Sequence, residues 1–155
     1  MGDKKVKELL RDLREEIIFS LLDDEDIEKI APYFKLNTYP SGEVVFKEKD
    51  PGDFVGLVIS GKLEVKKQTE FKGNQVIIAL LTKGALVGEL SIFDRNNRSA
   101  TVEAVEKTTM LILRNDAIET LMQEYPRTGI KLLKGLLRIL SIRLRKATER
   151  LTNIF

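Results

Sequence analysis

Two hydrophobic periods run along this chain, and the points where one gives way to the other divide it into three parts. Over residues 3–19, Val6, Leu9, Leu10, Leu13 and Ile17 return at three- and four-residue steps among charged positions, which predicts a charged amphipathic helix. Asp23 then precedes Asp24, Glu25 and Asp26. An N-cap followed by acids at the positive end of the dipole starts a second helix there, which ends before Pro32. From about 34 to 113 the pattern changes to short apolar runs and period-two alternation, as in Val44-Val45-Phe46, Phe54–Ile59, Leu63-Glu64-Val65-Lys66-Lys67 and Gln75–Leu81. Turn residues separate them: Pro40-Ser41-Gly42, Asp50-Pro51-Gly52-Asp53, Ser60-Gly61-Lys62, Lys72-Gly73-Asn74 and Lys83-Gly84. With Ala100–Val105 and Thr109–Leu113, around eight short strands are predicted. That spacing implies a sandwich or barrel, not a parallel sheet with long crossovers.

From Asn115 the period is helical again. Asp116–Tyr125 reads as one helix, stopped by Pro126, and residues 127–154 as a long second one. In the latter, Ile130, Leu133, Leu137, Leu140, Leu144, Ala147, Leu151 and Ile154 step by three and four alternately, a heptad seam. Leu132, Leu136 and Ile139 form a second stripe over its first half. The two stripes make either one broad intramolecular core face or a core stripe beside a seam for a partner chain. The seam runs past the length needed to cover a small barrel, so a homodimer through this helix is expected.

Composition narrows the function. The 155 residues, 43% apolar and 32% charged, suit a single globular domain with a real core. Its parts are 1–33 (helices), 34–113 (strands) and 114–155 (helices). The net charge is only +2, but residues 1–30 carry ten acids against six bases, and residues 127–155 carry eight bases against Glu149 alone. A basic helix suits nucleic acid or anionic lipid, and equally the solvated side of an amphipathic helix. There is no cysteine and no histidine, hence no disulfide, no thiol chemistry and no imidazole base or ligand. No apolar run approaches the roughly 18 residues of a membrane span. The expectation is a cytoplasmic protein with no metal and no catalytic residues, not an enzyme.

The chemistry concentrates between Val87 and Val102. After a strand end, Gly88 lets backbone approach a ligand, and the short helical segment that follows presents N–H donors to an anion. Arg98 offers a planar fork of donors suited to a phosphate, and Ser99 a hydroxyl beside it. Glu89, when ionised, only accepts, and so suits a sugar hydroxyl. Together they describe a ribose closed onto its own phosphate. A Glu89–Arg98 salt bridge closing an empty loop satisfies the same spacing, and spacing alone leaves both readings open.

Gly88-Glu89-Leu90-Ser91, followed by Arg98-Ser99-Ala100-Thr101, resembles the phosphate-binding cassette of cyclic nucleotide-binding domains, the family of the catabolite activator protein, protein kinase A regulatory subunits and gated channels. The Leu21-Leu22 helix start, Tyr39–Phe46, Asp50-Pro51-Gly52-Asp53 and Val58-Ile59-Ser60-Gly61 are also similar, so the resemblance spans about residues 20–150. It implies an α+β, mainly β fold: an eight-stranded double-stranded β-helix, or jelly-roll, barrel flanked by N-terminal helices and a C-terminal helix pair. It also implies that Glu89 takes the ribose 2′-hydroxyl. Arg98 would take the cyclic phosphate with Ser99, Ala100 and the backbone around Gly88, Leu90 and Ser91, and Thr148 or Ala147 would cover the base. Val87 and Gly56 depart from the family, which usually has Phe and an aromatic there; both are packing positions. Ser99 before Ala100 resembles cyclic AMP sites, with cyclic GMP the other possibility. The implied function is a cyclic nucleotide sensor that moves its last helix to regulate an unknown effector protein, with no DNA-binding domain in the chain. The alternative is an interaction module that has kept this fold without the ligand.

Overall fold

The computed structural model of the chain describes residues 2–71 and 73–154, with the side chains of Asp3, Ile17 and Phe93 outside the description. It resolves into two compact units, one of Asp3–Pro32 with Glu119–Phe155 and one of Tyr33–Ile118.

The strand unit holds two antiparallel four-stranded sheets. One has the order β1 (Phe34–Tyr39), β8 (Thr108–Arg114), β3 (Phe54–Ser60), β6 (Leu86–Val87). The other runs β2 (Val44–Phe46), β7 (Thr101–Ala104), β4 (Leu63–Gln68), β5 (Gln75–Leu81). The six predicted runs appear as β2, β3, β4, β5, β7 and β8, and β1 and β6 bring the strands to eight in two sheets; among the described residues no ladder hydrogen-bonds one sheet to the other. Val58, Met110, Ile112 and Val87 from the first sheet meet Leu63, Val102 and Ala104 from the second in one buried cluster, which is what inward-facing alternate positions produce. Gly56 faces the Met110 and Ile112 side chains. The short α3 (Ser91–Asp94) follows β6.

The helical unit holds α1 (Gly2–Asp12), α2 (Asp24–Ile30), the end of α4 (Asn115–Glu124) and α5 (Pro126–Ile154). Asp23 caps α2 as expected, and Asp26 completes a reciprocal capping box. The first helix is shorter than predicted. It ends at Asp12, and Ile17–Phe19 form a separate 3-10 turn. Pro126 stops α4 and is also the first residue of α5, where its missing N–H costs no helical bond. Gly135 of α5 meets the Ile18 backbone, where a Cβ would lie 2.2 Å from the carbonyl oxygen.

The two stripes of α5 separate by burial only in part, since Leu133 and Leu140 of the seam and Ile139 of the second stripe are all half-buried. Leu132 and Leu136 are buried, whereas Ile130, Leu137, Leu144, Leu151 and Ile154 of the seam are 50–75% exposed. Every residue from Ser141 to Ile154 is exposed. Among the described residues no helix is long and apolar enough to cross a membrane.

Candidate functional site

The expected cassette lies in the strand unit, between β6 and β7. Gly88 takes φ +78°, and a Cβ there would lie 2.3 Å from Arg98 Nη1, so both its backbone conformation and its neighbour call for glycine. Glu89 is half-buried and Leu90 exposed, while Ser91 is buried at the start of α3. Ser99 is exposed, its carbonyl accepting from Lys67 Nζ at 2.8 Å, and Ala100 is buried.

Arg98 is the centre of the arrangement. Its side chain is 1% exposed. Nη1 donates to the Gly88 carbonyl at 3.1 Å and Nη2 to the Phe54 carbonyl at 2.8 Å. Asp53 Oδ1 is 4.0 Å from Nη2. The guanidinium stacks against the rings of Phe46 and Phe54. The backbone N–H of Arg98 donates to the Asp50 carbonyl at 2.7 Å, and its carbonyl accepts from Lys49 N at 2.8 Å. The Glu89–Arg98 pairing weighed from the sequence is not among these bonds.

One donor is left over. Arg98 Nε is buried and has no hydrogen-bond partner among the described residues. It faces the Asp50–Asp53 turn, where a Cβ on Gly52 would lie 3.5 Å from Nε and collide with Ser91. Burial pushes the guanidinium below its ordinary pKa, against the pull of Asp53 and Asp50. A buried cation with two carbonyls, one distant carboxylate and an unmet donor is incompletely neutralised. The chemistry it suits is an anion with several acceptor oxygens.

A sequence model of the cyclic nucleotide-binding domain matches residues 36–125, which include the whole cassette. The chain belongs to the cyclic nucleotide-binding domain family. It is 34% identical over 130 residues to the cyclic AMP receptor protein of Thermus thermophilus, covering 84% of this chain and 58% of that one. The cAMP-dependent protein kinase regulatory subunit of Schizosaccharomyces pombe is 33% identical over 128 residues, 77% of this chain and 30% of that one. A crystal structure of a cyclic nucleotide-binding domain from Methylobacillus flagellatus superposes with a TM-score of 0.85 at 28% identity, covering 99% of this chain and 86% of that one. The chain thus spans under two thirds of the length of its Thermus relative.

Within this family frame, Gly88, Ser91 and Arg98 are brought together, with Glu89 and Leu90 in the same turn and Ser99 and Ala100 following Arg98. Thr148 stands exposed on α5, in the other unit, its hydroxyl donating to the Leu144 carbonyl at 2.9 Å. Sequence reasoning passed over the residues that surround Arg98: Phe46, Gly52, Asp53 and Phe54. The Asp50–Asp53 turn was visible as a turn, but nothing local said that it closes on Arg98.

Proposed function

We propose that the chain is a regulatory module, not an enzyme, that binds a cyclic nucleotide at the cassette, cyclic AMP in preference to cyclic GMP. The observation that carries this reading is the buried Arg98 guanidinium with its unmet Nε donor, set in the family's own motif. The cyclic phosphate takes Arg98 with Ser99, Ala100 and the Gly88–Ser91 backbone, and Glu89 accepts from the ribose hydroxyl. Ser99 favours cyclic AMP on resemblance. The two units act together as one domain, its sheets forming a jelly roll, in the cytoplasm.

A route for a switch is built around the same turn. Arg98 bonds to Asp50 and Phe54 at either side of it. From within it, the Gly52 carbonyl accepts from Asn115 Nδ2 at 3.0 Å and the Asp53 carbonyl from Asn115 N at 2.9 Å. Asn115 is the first residue of α4. A ligand that draws on Arg98 thereby pulls on the helix that leads into α5, and the helices follow to the extent that the nucleotide prefers one arrangement.

The exposed α5 seam serves a homodimer, through which an effector protein is regulated. With Leu137 and Leu144 at one core position and Leu140 and Ala147 at the other, Arg143 and Arg150 flank the seam on one side and Ser141 and Thr148 on the other. In a parallel pair Arg143 faces Thr148; in an antiparallel pair arginines face arginines, so the parallel pair is favoured. Leu144→Glu is expected to convert the dimer to monomer in sedimentation equilibrium. A wild-type monomer at all concentrations removes this part of the reading.

Titration calorimetry decides the ligand. Cyclic AMP is expected to bind with micromolar affinity, about −8 kcal/mol, more tightly than cyclic GMP, and to be found by mass spectrometry in protein made in cells that contain it. No heat and no thermal shift with either nucleotide leaves the ligand-free interaction module.

A further inference from the structure

Arg98 Cζ lies 4.1 Å from the centroid of the Phe46 ring and 4.7 Å from that of Phe54. The rings themselves are 6.1 Å apart and inclined at 72°. Those three separations put the guanidinium in the corner of an edge-to-face pair, not between parallel faces. A cation is attracted by the negative face of an aromatic ring, and the attraction grows where water is excluded. The attraction offsets part of the cost of holding this charge in a buried place. The rings use no N–H donor, so Nη1 and Nη2 keep their carbonyls and the Nε edge stays unbonded.

The two phenylalanines reach this corner from different strands. Phe46 ends β2 and pairs with Val102 of β7, four residues beyond Arg98. Phe54 begins β3 and holds Arg98 twice, by its ring and by its carbonyl. A leucine at either position fills comparable apolar space without a charged-group partner.

We propose that Phe46 and Phe54 are positioning residues for the anion site: their rings hold the buried Arg98 guanidinium in one orientation before the nucleotide arrives. This rests on the reading of Arg98 as the phosphate-binding side chain. Preorganisation of this kind raises affinity by removing the cost of ordering the group when the ligand arrives.

The test is cyclic AMP calorimetry on wild-type protein, Phe46→Leu and Phe46→Tyr, together with the Arg98 Nε–H resonance in ligand-free wild type and Phe46→Leu. Phe46→Leu is expected to weaken binding by about five- to twentyfold and Phe46→Tyr to stay within about twofold. The Nε–H resonance is expected to be displaced by ring currents in wild type and to move toward the ordinary arginine position in Phe46→Leu. Phe54→Leu replaces Phe46→Leu if circular dichroism shows the latter unfolded. Wild-type binding with equal affinity in the leucine variant overturns the inference and leaves the binding reading intact. Equal losses in the leucine and tyrosine variants reduce the ring to packing and overturn it too, as does an undisplaced resonance in wild type. A wild-type protein that binds neither cyclic AMP nor cyclic GMP overturns both.

Discussion

Arg98→Ala is expected to lower cyclic AMP affinity by between tenfold and about a hundredfold while the protein still folds. A hydrogen bond to a charged group contributes about 1.5–3 kcal/mol, and each 1.4 kcal/mol is a factor of ten. The same substitution leaves the Gly88 and Phe54 carbonyls without their donor, at about 1–3 kcal/mol for a buried group left unpaired. Affinity and stability must therefore be measured separately, by calorimetry and by urea unfolding. Arg98→Lys separates charge from geometry. An ammonium keeps the cation but lacks the planar fork that reaches two carbonyls and an incoming oxygen together, so its affinity is expected to fall between those of wild type and alanine. Equal affinity in wild type and alanine variant removes Arg98 from the site.

How much of this was legible follows from the range of the interactions involved. Six of the strands, β2 to β5, β7 and β8, were read from alternation and turn residues, both local signals, while β1 and β6 were not delimited. The Asp23 cap was legible because a capping residue and the acids after it lie within one turn. The break of α1 at Asp12 was not: the apolar steps continue through Leu13 and Ile17 without Gly or Pro. What interrupts the helix is tertiary, with Arg14 donating to the Leu22 carbonyl at 3.2 Å and pairing with Asp24 at 2.8 Å. The apolar steps of α5 were legible as a helical period, but periodicity alone could not say that Leu132 and Leu136 are buried while Leu137 and Leu144 are exposed. In the site, Gly88 and Arg98 stood out because a motif compresses them into eleven residues. Phe46, Gly52 and Phe54 lie 44–52 residues before Arg98 and reach it only through the pairing of β2 with β7 and the closure of the Asp50–Asp53 turn. Such contacts are set by register, which the spacing of one sequence does not encode.

Asp26→Ala is expected to destabilise the helical unit by about 2–4 kcal/mol. Asp26 is 5% exposed. It accepts from Thr128 Oγ1 at 2.6 Å, from Lys131 Nζ at 2.6 Å and from the Asp23 backbone N–H at 3.0 Å. It thus caps its own helix and binds α2 to the buried first turns of α5. Removing one partner of a buried ion pair costs about 3–5 kcal/mol, and the figure is reduced here because Lys131 is more than a third exposed. Burial raises the pKa of this carboxyl, but the bonds from Lys131, Thr128 and Asp23 outweigh it and hold the group well below the usual carboxylate range. The stabilisation is therefore present above the unfolded pKa of about 3.9 and declines as pH falls below it, because the unfolded chain then binds a proton that the folded one refuses. Asp26→Asn keeps the shape and discards the charge. The stability gap between wild type and Asp26→Asn, followed by urea unfolding, is expected to be widest near pH 7 and to narrow between pH 4 and pH 2. A gap that stays constant over that range means that the carboxylate charge does not hold the joint. The clamp grips α5 at Thr128 and Lys131 and leaves Ser141 to Ile154 exposed, so it is the first turns of this helix, not its far end, that Asp26 holds.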